Sequence, residues 1–575
     1  MTTDRRLLPL PVRLLLARAD ERLLLMVGGI VVGVFAGVAA VILTRAIAGV
    51  EHALLAWRSA PWAFILPGLG AALSALFLVH VVRENAGHGV PEVILSVSRR
   101  GGLLRFRQSF SRLISSCLTI GSGGSAGPEA PVVMSGSAIG SSIARVAGFN
   151  ERQRVILVGC GAAGAIASIF NAPIAGMVFA MEVILGEWSR VTIAPIAVAS
   201  VAGAQVSHLL RGNQIPFGPA AFSIELPDLL AALLIGIATA LASVLLTRLL
   251  RLGTRLWQHS PLPVWARAMA GGISVGLIGL AMPMVLGEGY GAVRTAIAGE
   301  LGSTLLLVGI AILAKIVATS LTIGSGGSGG IFAPSLLIGS LVGVATHRAV
   351  VALWPGIALA PEGCFALLGM AGLVAGILQA PLTAIFLIVE ITGGWSVILP
   401  LIVVAAVSAT VCQRLEPQSF YLHDLVRSGQ LARPGTDARV LGDIRVEELL
   451  EHDCRTVAEG LKLRELLPVI AGSHRNWFPV VDPEGRLLGL LHLDVVRPFL
   501  FRSELYDVLI AGELMDPTPH TASPDDSLAD VLERMDRTRS FSLPVVDHAH
   551  RFLGMISKAT VLDQYRKELI VQTEA

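Results

Sequence analysis

The sequence predicts an all-α polytopic membrane bundle made of two broken-helix repeats, followed by a soluble α/β region that is itself duplicated. Three observations carry that expectation. Of 575 residues, 53% are hydrophobic, only 15% are charged and 61 are glycine, a combination suited to lipid and not to a soluble domain. The segment Leu-Thr-Ile-Gly-Ser-Gly-Gly-Ser occurs at Leu118 to Ser125 and again, unchanged, at Leu321 to Ser328. Finally, apolar runs shorten and charges become frequent near Pro417.

Arg5, Arg6, Arg13, Arg18 and Arg22 precede the first apolar stretch, which is longer than a signal-peptide core, so a retained cytoplasmic N-terminus is expected. Leu23 to Leu43, Leu229 to Leu246 and Trp395 to Cys412 are long enough to span, while other runs are short or broken. Each glycine-rich break leads to a proline that can start a helix, Pro131 in the first half and Pro334 in the second. Free N–H groups at such helix starts carry about half a positive charge, and glycines allow close approach to them. Two anion-attracting helix ends at membrane depth are therefore expected. Beyond the breaks, Asn-Ala-Pro leads to Glu182 and Gln-Ala-Pro leads to Glu390. The repeats place a membrane domain over residues 1–425, with halves at about 23–215 and 227–425. Glu182 and Glu390 recur at equivalent places, so a shared structural task such as tying a helix end is expected of them. Lys315 lies in an apolar run and needs a partner or a water-filled vestibule.

The five cysteines, Cys117, Cys160, Cys364, Cys412 and Cys454, have no paired spacing, which points to neither a disulfide framework nor a metal site. A net charge of +2 without a basic stripe gives no reason to expect nucleic acid as a partner. Ser122 and Ser125 have no base placed by motif, and no enzyme is expected.

In the tail, Pro479-Val-Val-Asp482 followed by Gly489 is echoed 65 residues later by Pro544-Val-Val-Asp547 followed by Gly554. Amphipathic helices are expected at Ala458 to Ile470 and Ser527 to Met535, each followed by two short strands and a final helix. The units are placed at 440–502 and 510–572.

Four motifs together resemble the CLC family of chloride channels and proton-coupled chloride exchangers. Gly87-His-Gly-Val-Pro-Glu92 is similar to that family's Gly-Ser-Gly-Ile-Pro-Glu, and Gly127-Pro-Glu-Ala-Pro131 to its Gly-Arg-Glu-Gly-Pro. Gly330-Ile-Phe-Ala-Pro334 matches Gly-x-Phe-x-Pro, and Tyr421 falls where the family has a pore tyrosine. The tail resembles a tandem CBS pair. The resemblance implies inverted halves, a homodimer with one anion pathway per subunit, and chloride as the ligand. It implies a multi-pass protein of a bacterial inner membrane with the CBS tail cytoplasmic. It assigns Glu129 as the gating acid, a carboxylate that occupies the anion site as a surrogate for chloride. His88, Gly89, Val90, Ile331, Phe332 and Tyr421 become the anion-binding positions.

The sequence departs from the family at His88, which replaces a serine and can gain charge in acid. It departs again at Val183, where proton-coupled members commonly carry a second glutamate. Valine cannot hold a proton, so a passive channel, voltage- or pH-gated, is the first expectation. A chloride/proton antiporter is the alternative, and a nucleotide-regulated sensor without transport is a further one. No cofactor is required. In the CBS pair, Ser557 and Thr560 match the adenine-nucleotide positions only in part, because no ribose carboxylate is present. A dimer-stabilising brace is the favoured reading of the tail.

Overall fold

The computed structural model describes residues 20–84, 89–212, 217, 224–428, 444–538 and 540–565. It divides into a membrane unit reaching Leu431 and a second unit from Ala432.

In the membrane unit the first half comprises α1 (Glu21–Arg58), α2 (Leu66–Leu76), α3 (Val90–Arg99), α4 (Gln108–Gly121), α5 (Glu129–Ala147), α6 (Glu151–Phe170), α7 (Pro173–Phe179) and α8 (Arg190–Arg211). The second half repeats the order: α9 (Leu226–Gln258), α10 (Val264–Ala281), α11 (Tyr290–Ile297), α12 (Leu305–Gly324), α13 (Phe332–Leu353), α14 (Glu362–Leu378), α15 (Pro381–Thr392) and α16 (Ile398–Leu415). A short α17 (His423–Arg427) follows. Among the described residues, nine helices are long and apolar enough to cross a membrane, and the protein is an integral membrane protein.

Both repeats use the same local devices. α5 and α13 begin at Glu129 and Phe332, two residues before the prolines, so Pro131 and Pro334 sit in the first turn, where a missing N–H leaves no bond unmade. α6 ends in left-handed Asn171 (φ 52°) and α14 in left-handed Gln379 (φ 55°). Ala172 and Ala380 are then extended, as residues before proline must be, and Pro173 and Pro381 start the next helices. The Asn-Ala-Pro and Gln-Ala-Pro motifs are thus matching helix–turn–helix corners.

The cores of the halves are held by glycines that let backbones touch. A Cβ on Gly161 of α6 would stand 2.0 Å from the Gly136 carbonyl oxygen of α5, and one on Gly369 of α14 would stand 2.1 Å from that of Gly339 in α13. Small residues at such crossings maximise dispersion contact where lipid supplies no hydrophobic drive between helices.

In the second unit, β1 (Val457–Ala458) pairs parallel with β2 (Trp477–Val481), which pairs antiparallel with β3 (Leu487–His492). The intervening α18 spans Leu463–Ala471. It starts later than the Ala458 expected from its amphipathic pattern, because Val457 and Ala458 are taken as strand partners by Val480 and Val481. The helix Leu528–Thr538 precedes the antiparallel pair β4 (Ser542–Val546) and β5 (Phe552–Ser557). Leading segments are exchanged between the two cores: Ile444, Val446 and Leu449 pack with Val545 and Ile556, whereas Ala511 and Leu514 pack with Phe478 and Leu491.

The glycine contacts give a direct test. Gly161→Val inserts a branched side chain where no Cβ fits, and we expect a loss of at least about 1–3 kcal/mol of stability, read as a lower unfolding midpoint in detergent.

Candidate functional site

The two glycine-rich breaks meet each other. Gly127 N–H donates to the Gly330 carbonyl at 2.8 Å, and Gly330 N–H donates to that of Gly127 at 2.7 Å, an antiparallel bridge between equivalent repeat positions. Thr119 Oγ1 accepts from the Ser328 amide at 3.2 Å, and Thr322 Oγ1 accepts from the Ser125 amide at 3.0 Å. Every contact in this set is reciprocal, which is the signature of a two-fold relation between the inverted halves. The bridge brings the N-termini of α5 and α13 together at one point.

Glu129, the first residue of α5, lies there and is 1% exposed. Its Oε1 accepts a hydrogen bond from Tyr290 Oη, the first residue of α11. Oε2 is buried without a completed hydrogen bond, close to the amide of Ala333 in the first turn of α13. A Cβ on Gly127 would fall 2.1 Å from this Oε2 and 2.9 Å from the Ala333 Cβ, so only glycine leaves room for the carboxylate. Tyr290 is held edge-on by Phe217, with ring centroids 5.8 Å apart.

The other expected positions converge on the same place. Gly89 has φ +81°, and a Cβ there would approach the Ala130 carbonyl oxygen at 3.1 Å, so the start of α3 lies against the first turn of α5. Val90, Ile331, Phe332 and Tyr421 are all buried, and the Phe332 ring packs on Phe170 at 5.5 Å. The Tyr421 ring is met edge-on by Phe420, with ring centroids 5.7 Å apart. His88 falls outside the described residues.

Glu182 accepts from the amides of Leu382 (3.2 Å) and Thr383 (2.7 Å), and Glu390 accepts from those of Ile174 (3.0 Å) and Ala175 (2.7 Å). Each glutamate therefore ties the helix start of the opposite half, as their matched positions suggested. Lys315 finds its partners in the carbonyls of Val285 (2.9 Å) and Gly287 (3.0 Å). It anchors the link that carries Tyr290.

Sequence reasoning missed Tyr290. A signal existed: Gly287-Glu-Gly-Tyr290 stands where the first half has Gly87-His-Gly-Val90, and only the glycines are shared.

A family model described as voltage gated chloride channel matches residues 70–413, more than half of the chain. The chain belongs to that family. CBS domain models match 446–497 and 511–567. Within the voltage-gated chloride channel family, a putative chloride channel protein ClcB-like from Ralstonia nicotianae is 30% identical over 390 residues, 66% of this chain and 90% of that protein. An H(+)/Cl(−) exchange transporter ClcA from Vibrio cholerae is 30% identical over 425 residues, 70% of this chain and 90% of that protein. The crystal structure of a slow cyanobacterial Cl−/H+ antiporter aligns with a TM-score of 0.65 at 25% identity, covering 71% of this chain and 98% of that one. A eukaryotic CLC transporter, with a TM-score of 0.64 at 17% identity, shares the fold over 94% of this chain and 99% of its own.

In the CBS region, Ser557 Oγ donates to Glu451 Oε1 at 2.7 Å, Thr560 Oγ1 donates to the same oxygen, and Arg475 pairs with Glu451 Oε2 at 2.7 Å. Both hydroxyls named from the sequence are engaged by a carboxylate of the chain itself.

The Tyr290–Glu129 bond is measurable by a double-mutant cycle. Tyr290→Phe strips a donor from a buried carboxylate and should cost about 1.5–3 kcal/mol of stability, a cost that largely vanishes in the Glu129→Gln background. Additive costs in the cycle would show that the phenol does not hold the acid.

Proposed function

We propose that this chain is a chloride/proton antiporter in which Glu129 carries the proton and competes with chloride for the amides at the paired helix N-termini. The observation that carries the proposal is the setting of Glu129. Among the described residues no cation pairs with its carboxylate, which accepts one hydrogen bond, from the neutral Tyr290 phenol, and leaves Oε2 unpaired beside the Ala333 amide. A buried carboxylate without a cation is stable only while hydrogen-bonded or neutral, so leaving that position favours taking a proton. Chloride is the other anion that these amides attract. The site then alternates between carboxylate bound and chloride bound with Glu129 protonated, and each turn moves the two ions in opposite directions. Ile331 and Phe332 amides and the Tyr421 hydroxyl contribute hydrogen bonds without a full charge, which lets the ion leave.

The relatives named as exchangers and the antiporter of like fold support this reading over a passive channel. Val183 favours the channel as a second reading, because a valine at that position cannot hold a proton. On the resemblance, the protein is a homodimer of a bacterial inner membrane with its N-terminus and CBS tail in the cytoplasm. The tail serves as a brace: Glu451 places negative charge on the hydroxyls that a phosphate would use.

Chloride efflux from proteoliposomes, recorded together with internal pH under a voltage clamp, tests the transport reading. Uphill proton movement opposed to chloride is expected, and Glu129→Gln should abolish it while chloride still flows. Chloride flux with no proton signal would establish the channel. For the tail, millimolar ATP, ADP or AMP should leave the melting temperature unchanged, and a shift of several degrees would overturn the brace.

A further inference from the structure

Two hydroxyls and one guanidinium of the second unit converge on a single carboxylate. Ser557, the last residue of β5, accepts from the Thr560 amide at 3.2 Å and so caps the final helix, whose described residues are 558–565. The two side-chain oxygens stand 3.0 Å apart. Each donates its proton to Glu451 Oε1, Ser557 at 2.7 Å. The other carboxylate oxygen, Oε2, takes Arg475 Nη1 at 2.7 Å. Asp453 aims the guanidinium by accepting from its Nε at 3.0 Å and from its Nη2 at 2.9 Å.

Hydroxyls backed by a guanidinium are a donor set suited to an oxyanion: each hydroxyl gives one hydrogen bond to an oxygen, and the guanidinium adds a charge-assisted one. Glu451 differs from a free anion in being held by the chain. Its amide donates to the Met555 carbonyl at 2.8 Å and its carbonyl accepts from the Met555 amide at 3.1 Å, so the residue is paired with β5. Upstream, Ile444, Val446 and Leu449 are buried in the core of the second CBS module. A Cβ on Gly554 would stand 3.1 Å from the Glu451 carbonyl oxygen, so glycine at that point of β5 lets the segment lie close. A carboxylate fixed in this way loses little freedom on binding, and a free anion would compete against its high effective concentration. Only 11% of the Glu451 side chain is exposed, against 36% of that of Arg475, which puts the open side of the cluster at the guanidinium.

We propose that Glu451 is a tethered occupant of an oxyanion site formed by Ser557, Thr560 and Arg475, and that a phosphate dianion is the ligand this site takes once the carboxylate is removed. The inference rests on the brace reading of the tail and gives that reading a physical cause. Ser557 and Thr560 belong to the second module, Arg475 lies between α18 and β2 of the first, and Glu451 joins them. A bound anion would tie these segments from outside. Here the chain ties them itself, so the cross-link exists without any ligand. The same occupancy excludes phosphate, because a second anion beside Glu451 would meet a like charge and find the donors already used.

The test is calorimetric titration of inorganic phosphate, with AMP beside it, into the full-length protein in detergent. Wild type should bind neither. Glu451→Ala should bind phosphate at least about tenfold more tightly than wild type, and Glu451→Ala/Arg475→Gln should lose that gain. Equal affinity of Glu451→Ala for AMP and phosphate identifies the bare anion as the ligand, and a higher affinity for AMP identifies a phosphate carried by a nucleoside; both support the site. If wild type and Glu451→Ala bind alike, or neither binds, the proposal is overturned. The brace fails separately if wild type binds either compound, and the ratio between variant and wild type still decides the role of Glu451. Should Glu451→Ala not fold in phosphate-free buffer, phosphate present during purification should recover it, and a protein that phosphate does not recover overturns the proposal.

Discussion

The membrane unit depends on one arrangement: two helix starts, each with unpaired amides, are pressed together by the Gly127–Gly330 bridge. Two positive helix ends at membrane depth repel each other and leave donors unmade, which in lipid costs several kcal/mol per group. Part of that cost is offset inside the bridge, where Thr119 and Thr322 each accept an amide of the opposite break. The remainder calls for an anion. Glu129 supplies one from the chain, and in the proposed cycle its departure opens the position to chloride.

The repeats share their scaffold but not their chemistry. Gly127, Glu129 and Pro131 stand opposite Gly330, Phe332 and Pro334 at a constant spacing, so the same turn delivers a carboxylate in one half and an aromatic ring in the other. Glu182 and Glu390, in contrast, do the same work twice, each capping the first turn beyond the opposite Ala-Pro corner. Symmetry therefore holds the helix ends in place, and its breaking at Glu129 gives the site a direction.

What the sequence disclosed follows from this division. Features set by local backbone geometry were legible: the glycine-rich breaks, the first-turn prolines, the Ala-Pro corners and the matched glutamates all recur because the same turn needs the same residues. Glu129 lies inside such a turn, but it was named through the resemblance of Gly127-Pro-Glu-Ala-Pro131 to the family's motif. Tyr290 was not legible, since it is joined to α5 only in space, 161 residues from Glu129, and its link shares just its glycines with the first half. The start of α18 was misplaced for the same reason: the pattern from Ala458 suits a helix until a strand residue 23 positions away, Val481, claims Ala458.

Lys315 shows how a buried charge serves a site that it does not touch. Its ammonium donates to the carbonyls of Val285 and Gly287, and its Nζ lies 3.5 Å from where a Cβ on Gly289 would stand. Those carbonyls belong to the link whose last turn sets Tyr290 against Glu129. An apolar side chain at this position would leave two buried carbonyls unpaired and the link free to move, so the phenol would no longer meet the carboxylate. The cation thus fixes the geometry around Glu129 from behind, and in the proposed cycle it stands where it would not trap a passing chloride.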